Sequence, residues 1–289
     1  MQIRETARAK VNLTLAVLGR RADGYHDLES LVTFADIADG LTLEPGRDCR
    51  ITVSGPFAET ITGANLLETA LAVLRAADPG LVLGDVALEK HLPVAAGLGG
   101  GSADAAALLR AVRRANPERA GAVAWNVLAA RLGADVPVCL AGRPALIRGI
   151  GDRIGPSPGV AGLPPIAAVL VNPRLPLPTA RVFQALDARG VAGRTLPCNA
   201  FRDLPSLAAY MGAVGNDLEP PAVSLLPVIA QVKAALAAQD GCLVAAMSGS
   251  GPTCVGLFEA DAPAARGAAA LAGAHPGWWV ARTRLDWPA

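Results

Sequence analysis

A glycine-rich segment in the first half of the chain has the composition of a phosphate-binding loop. Four of the five residues from Gly97 to Gly101 are glycine, and Ser102 follows them at the start of a stretch with helical periodicity. Glycine admits backbone conformations closed to other residues, and the first N–H groups of a helix have no partner within the helix. The positive end of the helix dipole also favours anions at this point. The pattern therefore predicts a site for phosphate oxygens, in an enzyme that holds a nucleotide or another phosphorylated ligand.

The glycine loop departs from the two common nucleotide-binding fingerprints. It lacks the lysine that a Walker loop requires. Gly97, Gly99 and Ser102 are one residue away from the dinucleotide fingerprint, which has Gly or Ala at the last position. The preceding residues 86–91 are also too polar for a buried parallel strand. A dinucleotide-dependent oxidoreductase is therefore disfavoured, and a flexible turn without a ligand is the simplest alternative.

A polar loop near the N-terminus combines two residue types that can recognise a nucleobase. Tyr25, one of two tyrosines in the chain, stands beside His26, one of three histidines. An aromatic ring in a loop can stack on a base, and a histidine can hydrogen-bond the edge of the base. A Tyr–His pair that anchors the loop to the core explains the residues equally well.

A second run of small residues, Ser248–Thr253, contains two serines and two glycines before a proline. A plain hairpin turn has this composition, and so does a nest of backbone N–H groups that binds a second anion. Lys10 stands at the head of a predicted strand and Asp135 follows a predicted helix. Taken alone, each of these charges has the character of a solvated surface group.

The bulk composition narrows the class of protein. The chain has 289 residues, enough for one large domain or two ordinary ones, and its net charge of +1 gives no field for nucleic acid or membrane. Its five cysteines are dispersed without a CxxC pair, which suits a reducing cytoplasm and disfavours a disulfide framework or a zinc site. Large apolar residues occupy every second position from Val11 to Val17, so we predict a strand at residues 11–18 and not a signal peptide. The apolar stretches 155–173 and 242–258 contain prolines or a glycine-rich turn, which excludes membrane helices.

These candidate residues must be positioned by a mixture of strands and helices. Apolar residues recur at helical spacing after the glycine loop, so we predict a helix from Ala103 to about Ala115 with Ser102 as its N-cap. The proline-rich stretch Gly155–Pro165 is the predicted boundary or long connection. Further strands are predicted at residues 41–44, 50–54, 82–90, 138–140, 145–148, 167–172, 243–247 and 254–258. Further helices are predicted at residues 65–76, 120–132 and 228–238, with another starting near residue 179.

Three motifs occur in the order that is typical of the GHMP family of small-molecule kinases, and the chain resembles that family. Its N-terminal strand motif is matched by residues 9–13, its Pro-x-x-x-Gly-Leu-Gly motif by residues 93–103, and its Ser-Gly-Ser-Gly-Pro-Thr motif by residues 248–253. Two small departures are Ala103, where a second serine is common, and Val255, where phenylalanine is frequent. The segments that narrow the resemblance to members with a cytidylylated acceptor are residues 10–13, 21–26, 99–101, 132–137 and 149–152.

The resemblance implies an activity and its partners. A member of this group would transfer the γ-phosphoryl group of ATP to the C2 hydroxyl of a cytidine diphosphate-linked methylerythritol, in isoprenoid precursor synthesis. Mg²⁺ would accompany ATP, bound mainly through its phosphates. This small molecule would be the partner, with no nucleic acid and no membrane, and the protein would be a cytoplasmic monomer or homodimer.

Two alternatives stay close to this interpretation. Homoserine or mevalonate kinase would share the fold but has no cytosine to stack on Tyr25. A non-catalytic sensor on the same fold would have no need of both Lys10 and Asp135.

The resemblance also implies roles for individual residues. Asp135 would be the base that accepts the hydroxyl proton, and Lys10 would pair with it and stabilise charge on the phosphoryl group. Cytosine would lie against Tyr25, with His26 on its edge and Phe183 on its other face. The implied ATP-binding residues are Asn65, Pro93, Val94, Ala95, Ala96, Gly97, Leu98, Gly99, Gly100, Gly101, Ser102 and Ala103. The implied substrate-binding residues are Asn12, Tyr25, His26, Asp135, Thr179, Phe183, Ser248, Gly249, Ser250 and Gly251.

The implied architecture is an α+β, two-domain GHMP kinase fold. Residues 1–157 would form an N-terminal ATP-binding domain with a ribosomal-protein-like fold. Residues 158–289 would form a C-terminal, ferredoxin-like domain that carries the second glycine-rich turn.

Overall fold

The computed structural model describes residues 1–46, 48–61, 63, 65–159, 163–186 and 201–288. The strands within these ranges are β1 (Ile3–Asn12), β2 (Ala16–Arg20), β3 (His26–Pro45), β4 (Ile51–Ser54), β5 (Gly84–Glu89), β6 (Ala145–Gly149), β7 (Arg153–Gly155), β8 (Ile166–Asn172), β9 (Cys242–Met247), β10 (Cys254–Phe258) and β11 (Trp279–Leu285). The α-helices are α1 (Leu66–Ala77), α2 (Gly100–Ala115), α3 (Trp125–Leu132), α4 (Val136–Ala141), α5 (Thr179–Ala185), α6 (Leu204–Val214), α7 (Glu219–Leu225), α8 (Val228–Ala237) and α9 (Asp261–Ala274). This mixture of strands and helices confirms the α+β expectation.

The chain divides into two compact units, and neither is continuous in sequence. The first unit consists of Met1–Ala9, Ile37–Val94 and Gly99–Gly142, and the second of Lys10–Asp36, Ala95–Leu98 and Arg143–Ala289. Strands β1 and β3 therefore contribute residues to both units. The expected boundary between residues 157 and 158 stays a prediction, and residues 10–36 and 143–157 group with the later part of the chain.

The first unit combines a small sheet with four helices. Strand β5 pairs antiparallel with β3 and parallel with β4. Helix α1 begins at Leu66, one residue after the predicted start, and Asn65 is its N-cap, because the Asn65 side chain accepts a hydrogen bond from the backbone N–H of Leu67 at 3.1 Å. Helix α2 buries most of its first three turns and packs against α1, α3 and α4. The helix that follows the glycine loop is thus a central element of this unit.

The start of α2 differs from the prediction. Ser102 is not the N-cap; it is the third residue of the helix, and Gly99 occupies the cap position. Gly99 has φ 63° and ψ 22°, a left-handed conformation that glycine adopts without strain. The glycines therefore lie inside the helix start, and residues 100–102 place their N–H groups in the first turn.

Two further elements differ from the prediction. Helix α3 begins at Trp125 and not near residue 120. The apolar segment 138–140 belongs to helix α4 and not to a strand, and Pro137 stands in the first turn of this helix, where proline is favoured. A short apolar run does not by itself distinguish a strand from a helix.

The second unit contains an antiparallel sheet in the order β11–β8–β10–β9. Every residue of β8 is buried, and helices α8 and α9 pack on the sheet. The core between them includes Val169, Val171, Val232, Leu236 and Phe258. The predicted strand at residues 11–18 is instead two strands, since β1 ends at Asn12 and β2 begins at Ala16.

Candidate active site

The turn between β9 and β10 is held by its own backbone. The N–H of Ser248 donates to the carbonyl of Thr253 at 2.9 Å, and the N–H of Gly251 donates to the carbonyl of Ser248 at 2.9 Å. Gly249 and Gly251 have φ of 56° and 77°, which only glycine adopts readily. The second glycine-rich segment is thus a defined turn between two antiparallel strands.

Two buried asparagines outside the motifs fix this turn. The side-chain Nδ2 of Asn216 donates to the carbonyls of Met247 and Gly249, each at 2.8 Å. Asn172 Nδ2 donates to Thr253 Oγ1 at 2.8 Å. Neither residue was predicted from the sequence. The available signal was a polar amide at the end of an apolar strand for Asn172, and a polar amide between Gly215 and an acidic residue for Asn216.

The glycine loop, the turn and the N-terminal strand meet within the second unit. Ser248 Oγ accepts a hydrogen bond from the backbone N–H of Asn12 at 3.0 Å and donates to the carbonyl of Gly97 at 2.8 Å. The N–H of Thr253 donates to the carbonyl of Ala96 at 3.2 Å, and the N–H of Lys10 donates to that of Leu98 at 2.9 Å. Residues from all three motifs are therefore joined directly by hydrogen bonds.

Gly97 is required at this junction by its surroundings. Its φ is 73°, and a Cβ at this position would lie 2.3 Å from the carbonyl oxygen of Ser248. No side chain fits at that distance, since the obstacle is backbone. The glycine of the loop thus allows close approach to the turn.

The side chain of Asn12 is buried, and its two ends differ. Its Nδ2 donates to Ser30 Oγ at 2.7 Å. Its Oδ1 is buried and accepts no hydrogen bond from the described residues. A Cβ added to Gly249 would lie 3.2 Å from this oxygen. Asn12 thus presents an unsatisfied acceptor next to the turn.

Two other predicted substrate residues also come together here. Thr179, the first residue of α5, has its Oγ1 2.8 Å from Ser250 Oγ. The start of α5 is therefore tied to the middle of the turn.

The Tyr25 loop exposes an aromatic ring. The N–H of Arg21 donates to the carbonyl of Tyr25 at 2.8 Å, and Gly24 has φ 88°, so that the loop closes on itself. Tyr25 is 62% exposed and makes no ring contact with the described residues. Phe183 stacks instead on His26, with ring centroids 5.3 Å apart.

The environment of His26 keeps it uncharged near neutral pH. Partial burial lowers the pKa of His26, and the positive charge of Arg20 lowers it further. A neutral imidazole has one donor and one acceptor nitrogen, so it can pair with a polar edge that offers both.

The remaining predicted residues are divided between the two units. Gly99, Gly100, Gly101, Ser102 and Ala103 form the start of α2. Asn65 caps α1. Asp135 is half-buried at the N-cap position of α4, and its side chain does not cap that helix. Lys10 is buried in the second unit. The predicted Pro93 and Val94 also belong to the first unit and Ala95 to the second.

A buried ion cluster underlies the start of α2. Lys90 Nζ donates to Asp39 Oδ2 at 2.5 Å and to Asp104 Oδ2 at 2.7 Å. Asp39 Oδ1 also accepts the backbone N–H groups of His91 and Leu92, at 2.6 and 2.8 Å. A Cβ on Gly100 would lie 3.2 Å from Lys90 Nζ, so the ammonium group lies directly against the helix start.

The two carboxylates of this cluster differ in their hydrogen bonds. Asp39 has three donors, whereas Asp104 Oδ1 is buried and has no partner among the described residues. Burial has the largest effect on the pKa of Asp104 and raises it, Lys90 lowers it and Asp39 raises it. The net result is a pKa of about 7. Burial lowers the pKa of Lys90, but the two carboxylates outweigh this effect and the net shift is upward. None of the contacts in this cluster was predicted from the sequence.

Two other features are absent from the described residues. In the part of the chain that the structure describes, no three His, Cys, Asp or Glu side chains are grouped so that they could hold a metal ion. The helices of the same residues are all too short or too polar to span a bilayer.

The chain is similar along nearly its whole length to proteins of one family. Residues 65–143 match the family model for the GHMP kinases N terminal domain, and residues 198–276 match the one for GHMP kinases C terminal. A 4-diphosphocytidyl-2-C-methyl-D-erythritol kinase from Methylobacterium radiotolerans is 50% identical over 290 residues, which cover 97% of this chain and 98% of the relative.

Solved structures agree with this relationship. A crystal structure of a 4-(cytidine 5'-diphospho)-2C-methyl-D-erythritol kinase matches with a TM-score of 0.76 and 36% identity, over 99% of this chain and 100% of the other. Homoserine kinase from Cytophaga hutchinsonii matches with a TM-score of 0.67 and 18% identity, over 98% and 95% of the two chains. At this lower identity the likeness shows the fold alone.

Proposed function

The chain belongs to the GHMP kinase family, in the group of the 4-diphosphocytidyl-2-C-methyl-D-erythritol kinases, and from this premise we propose that it phosphorylates the C2 hydroxyl of 4-diphosphocytidyl-2-C-methyl-D-erythritol with ATP. The products would be the 2-phosphate and ADP. The observation that carries the proposal is the junction in the second unit, where Ser248 bonds to both Asn12 and Gly97. It joins residues of the three family motifs through a single hydroxyl.

ATP is proposed to bind on the glycine loop and the start of α2. The N–H groups of Gly100, Gly101 and Ser102 belong to the first turn, where no intrahelical acceptor exists for them. Phosphate oxygens would accept from these groups and benefit from the helix dipole. When bound, Mg²⁺ would neutralise part of the phosphate charge, and we propose that phosphate oxygens supply most of its ligands.

Asp135 and Lys10 are proposed to carry the proton and charge chemistry. The acceptor is a tertiary alcohol, which is crowded and weakly acidic, so its position relative to the base matters. Asp135 would accept the hydroxyl proton as the phosphoryl group is transferred. Lys10 would stabilise the negative charge that develops on the transferred group.

The cytidine is proposed to bind at the Tyr25 loop. The exposed ring of Tyr25 offers a stacking surface, and the neutral imidazole of His26 offers a donor and an acceptor to the base edge. Phe183 would contribute by holding His26, since the two rings stack on each other. The diphosphate and the methylerythritol end would then lie toward Asn12 and residues 248–251.

We also propose a cytoplasmic location, from the state of the cysteines. Four cysteines of the described residues, Cys49, Cys139, Cys242 and Cys254, are free thiols. Free, dispersed thiols suit a cytoplasmic enzyme. We expect a monomer or a homodimer.

A coupled assay of ADP release tests the proposal. The protein is incubated with ATP, Mg²⁺ and one of three acceptors: the cytidylylated methylerythritol, mevalonate or homoserine. We expect turnover with the first acceptor alone. Equal or faster turnover with mevalonate or homoserine would contradict the assignment and favour another kinase of the family.

A further inference from the structure

We propose that Ser30 is a positioning residue that holds the amide of Asn12 with its oxygen toward the substrate, so that this position selects a hydroxyl donor. The inference rests on the proposed function, because it concerns how the acceptor is held. Ser30 lies on β3, is 1% exposed and belongs to none of the family motifs described above.

The direction of each hydrogen bond at Ser30 follows from the proton count. Ser30 Oγ donates to the backbone carbonyl of Thr14 in a short contact, and a carbonyl can only accept. A serine hydroxyl has one proton, so toward Asn12 the same oxygen can only accept. The atom of Asn12 that faces it must therefore be the donor Nδ2, at 2.7 Å.

These hydrogen bonds determine which end of the Asn12 amide is the oxygen and which is the nitrogen. The oxygen and nitrogen of an amide are nearly alike in size, and their assignment depends on the surrounding donors and acceptors. Because Ser30 is committed to the Thr14 carbonyl, the reverse orientation would place two acceptors against each other. Oδ1 of Asn12 is consequently the end that faces away from Ser30.

The surroundings of this oxygen indicate what it binds. Oδ1 is buried without a partner in the described residues, and a buried acceptor without a donor is costly. A Cβ on Gly249 would lie 3.2 Å from Oδ1 and 3.1 Å from the carbonyl oxygen of Gly97. The oxygen of Asn12 and the carbonyl oxygen of Gly97 therefore both lie beside Gly249 in the turn, and two neighbouring acceptors repel a phosphate and suit a hydroxyl. Asn12 would therefore hold a hydroxyl of the methylerythritol end of the substrate and not its diphosphate.

A double-mutant cycle tests this inference. The variants are Ser30→Ala, Asn12→Ala and the double variant, and kcat and KM are measured for the acceptor and for ATP. Ser30→Ala should lower kcat/KM for the acceptor by about tenfold with the KM for ATP unchanged, because the Asn12 amide can then rotate and exchange its oxygen and nitrogen positions. In the Asn12→Ala background the same substitution should change kcat/KM by less than about twofold.

Two further variants distinguish the positioning of Asn12 from the general effect of losing a buried hydroxyl group. Thr33 lies on the same strand, is fully buried and donates to the carbonyl of Asp286 at 2.6 Å, so Thr33→Val removes a comparable buried hydroxyl away from Asn12. It should leave both KM values unchanged. Ser30→Cys fills the same space with a weaker acceptor and should show a smaller loss, about threefold.

An equal loss from Ser30→Ala in both backgrounds, or an equal rise in the KM for ATP, would overturn the inference. The two proposals fail in different ways. If the wild-type protein phosphorylates none of the acceptors, the proposed function is wrong. If the wild-type protein phosphorylates the cytidylylated acceptor but the effects of the two substitutions are additive, only the role of Ser30 is wrong.

Discussion

Replacing Lys90 by methionine should loosen the start of α2, the element on which the phosphate site is proposed. Lys90 is 3% exposed and bonds to both Asp39 and Asp104. Methionine has a similar length but no charge, so Lys90→Met leaves two carboxyl groups buried without a counter-ion. Removing one partner of a buried ion pair costs about 3–5 kcal/mol. If amides of α2 exchange through opening of this region, their exchange should accelerate by about two to three and a half orders of magnitude.

The loss of stability in Lys90→Met should be larger at high pH than at low pH. The folded-state pKa of Asp104, raised to about 7 by burial, lies above its unfolded value of about 3.9. The stability that this group contributes is therefore fully present at low pH and is lost as the pH rises through about 7. Without the ammonium group the pKa of Asp104 rises further. The deficit of Lys90→Met relative to the wild type should thus be smaller at about pH 5.5 than at about pH 8.

Hydrogen exchange followed by mass spectrometry measures this effect, with peptides from α2 and β5 compared with peptides from α9. Lys233→Met is the matched control, because Lys233 Nζ bonds to Glu219 at 2.6 Å but the lysine is 37% exposed. A pair in this position contributes at most about 1 kcal/mol. Exchange in Lys90→Met that equals that of the control, or a deficit that does not shrink at lower pH, would refute the reasoning.

Three further substitutions test the proposed roles. Asp135→Asn should lower kcat by about 10²- to 10⁴-fold with little change in ATP affinity, measured by calorimetry; near-normal turnover would remove Asp135 from the mechanism. Tyr25→Ala should raise the KM for the cytidylylated acceptor by about 10- to 100-fold, as loss of one stacked base predicts, and a fall in ATP affinity instead would show that the base does not bind there. Asn216→Ala leaves the carbonyls of Met247 and Gly249 without their donor, at a cost of about 1–3 kcal/mol, and should raise the KM for the acceptor but not for ATP. An equal change in both KM values would mean that Asn216 supports the fold and not the turn in particular.

Residues whose roles depend on local backbone could be predicted from the sequence. The apolar spacing of residues 65–76 predicted helix α1 to within one residue at each end, although the cap at Asn65 was not predicted. The run of glycines at the start of α2 also has a purely local signature. Ser102 was misassigned as the cap because glycine in the left-handed region, at Gly99, can start a helix without a side-chain bond.

Residues whose roles depend on distant partners could not be predicted. Lys90, Asp39 and Asp104 form a cluster only because β3, β5 and α2 bring them together, and no spacing in the sequence encodes that contact. Asn216 lies 31 and 33 residues from the two carbonyls that it binds. The family resemblance located the turn and the loop but gave no indication of the side chains that support them.

The hydrogen bonds of Ser248 have a consequence for how the protein is made. Ser248 lies 236 positions after Asn12 and 151 positions after Gly97, and its hydroxyl bonds to both. A chain that emerges from the ribosome from its N-terminus exposes Asn12 and the glycine loop long before Ser248 has been synthesised. The junction can form only after Ser248 has been synthesised, so a nascent or truncated chain that stops before Ser248 has no assembled site. Catalytic competence should therefore arise late and all at once, and contacts of such long range should make it a slow step of folding.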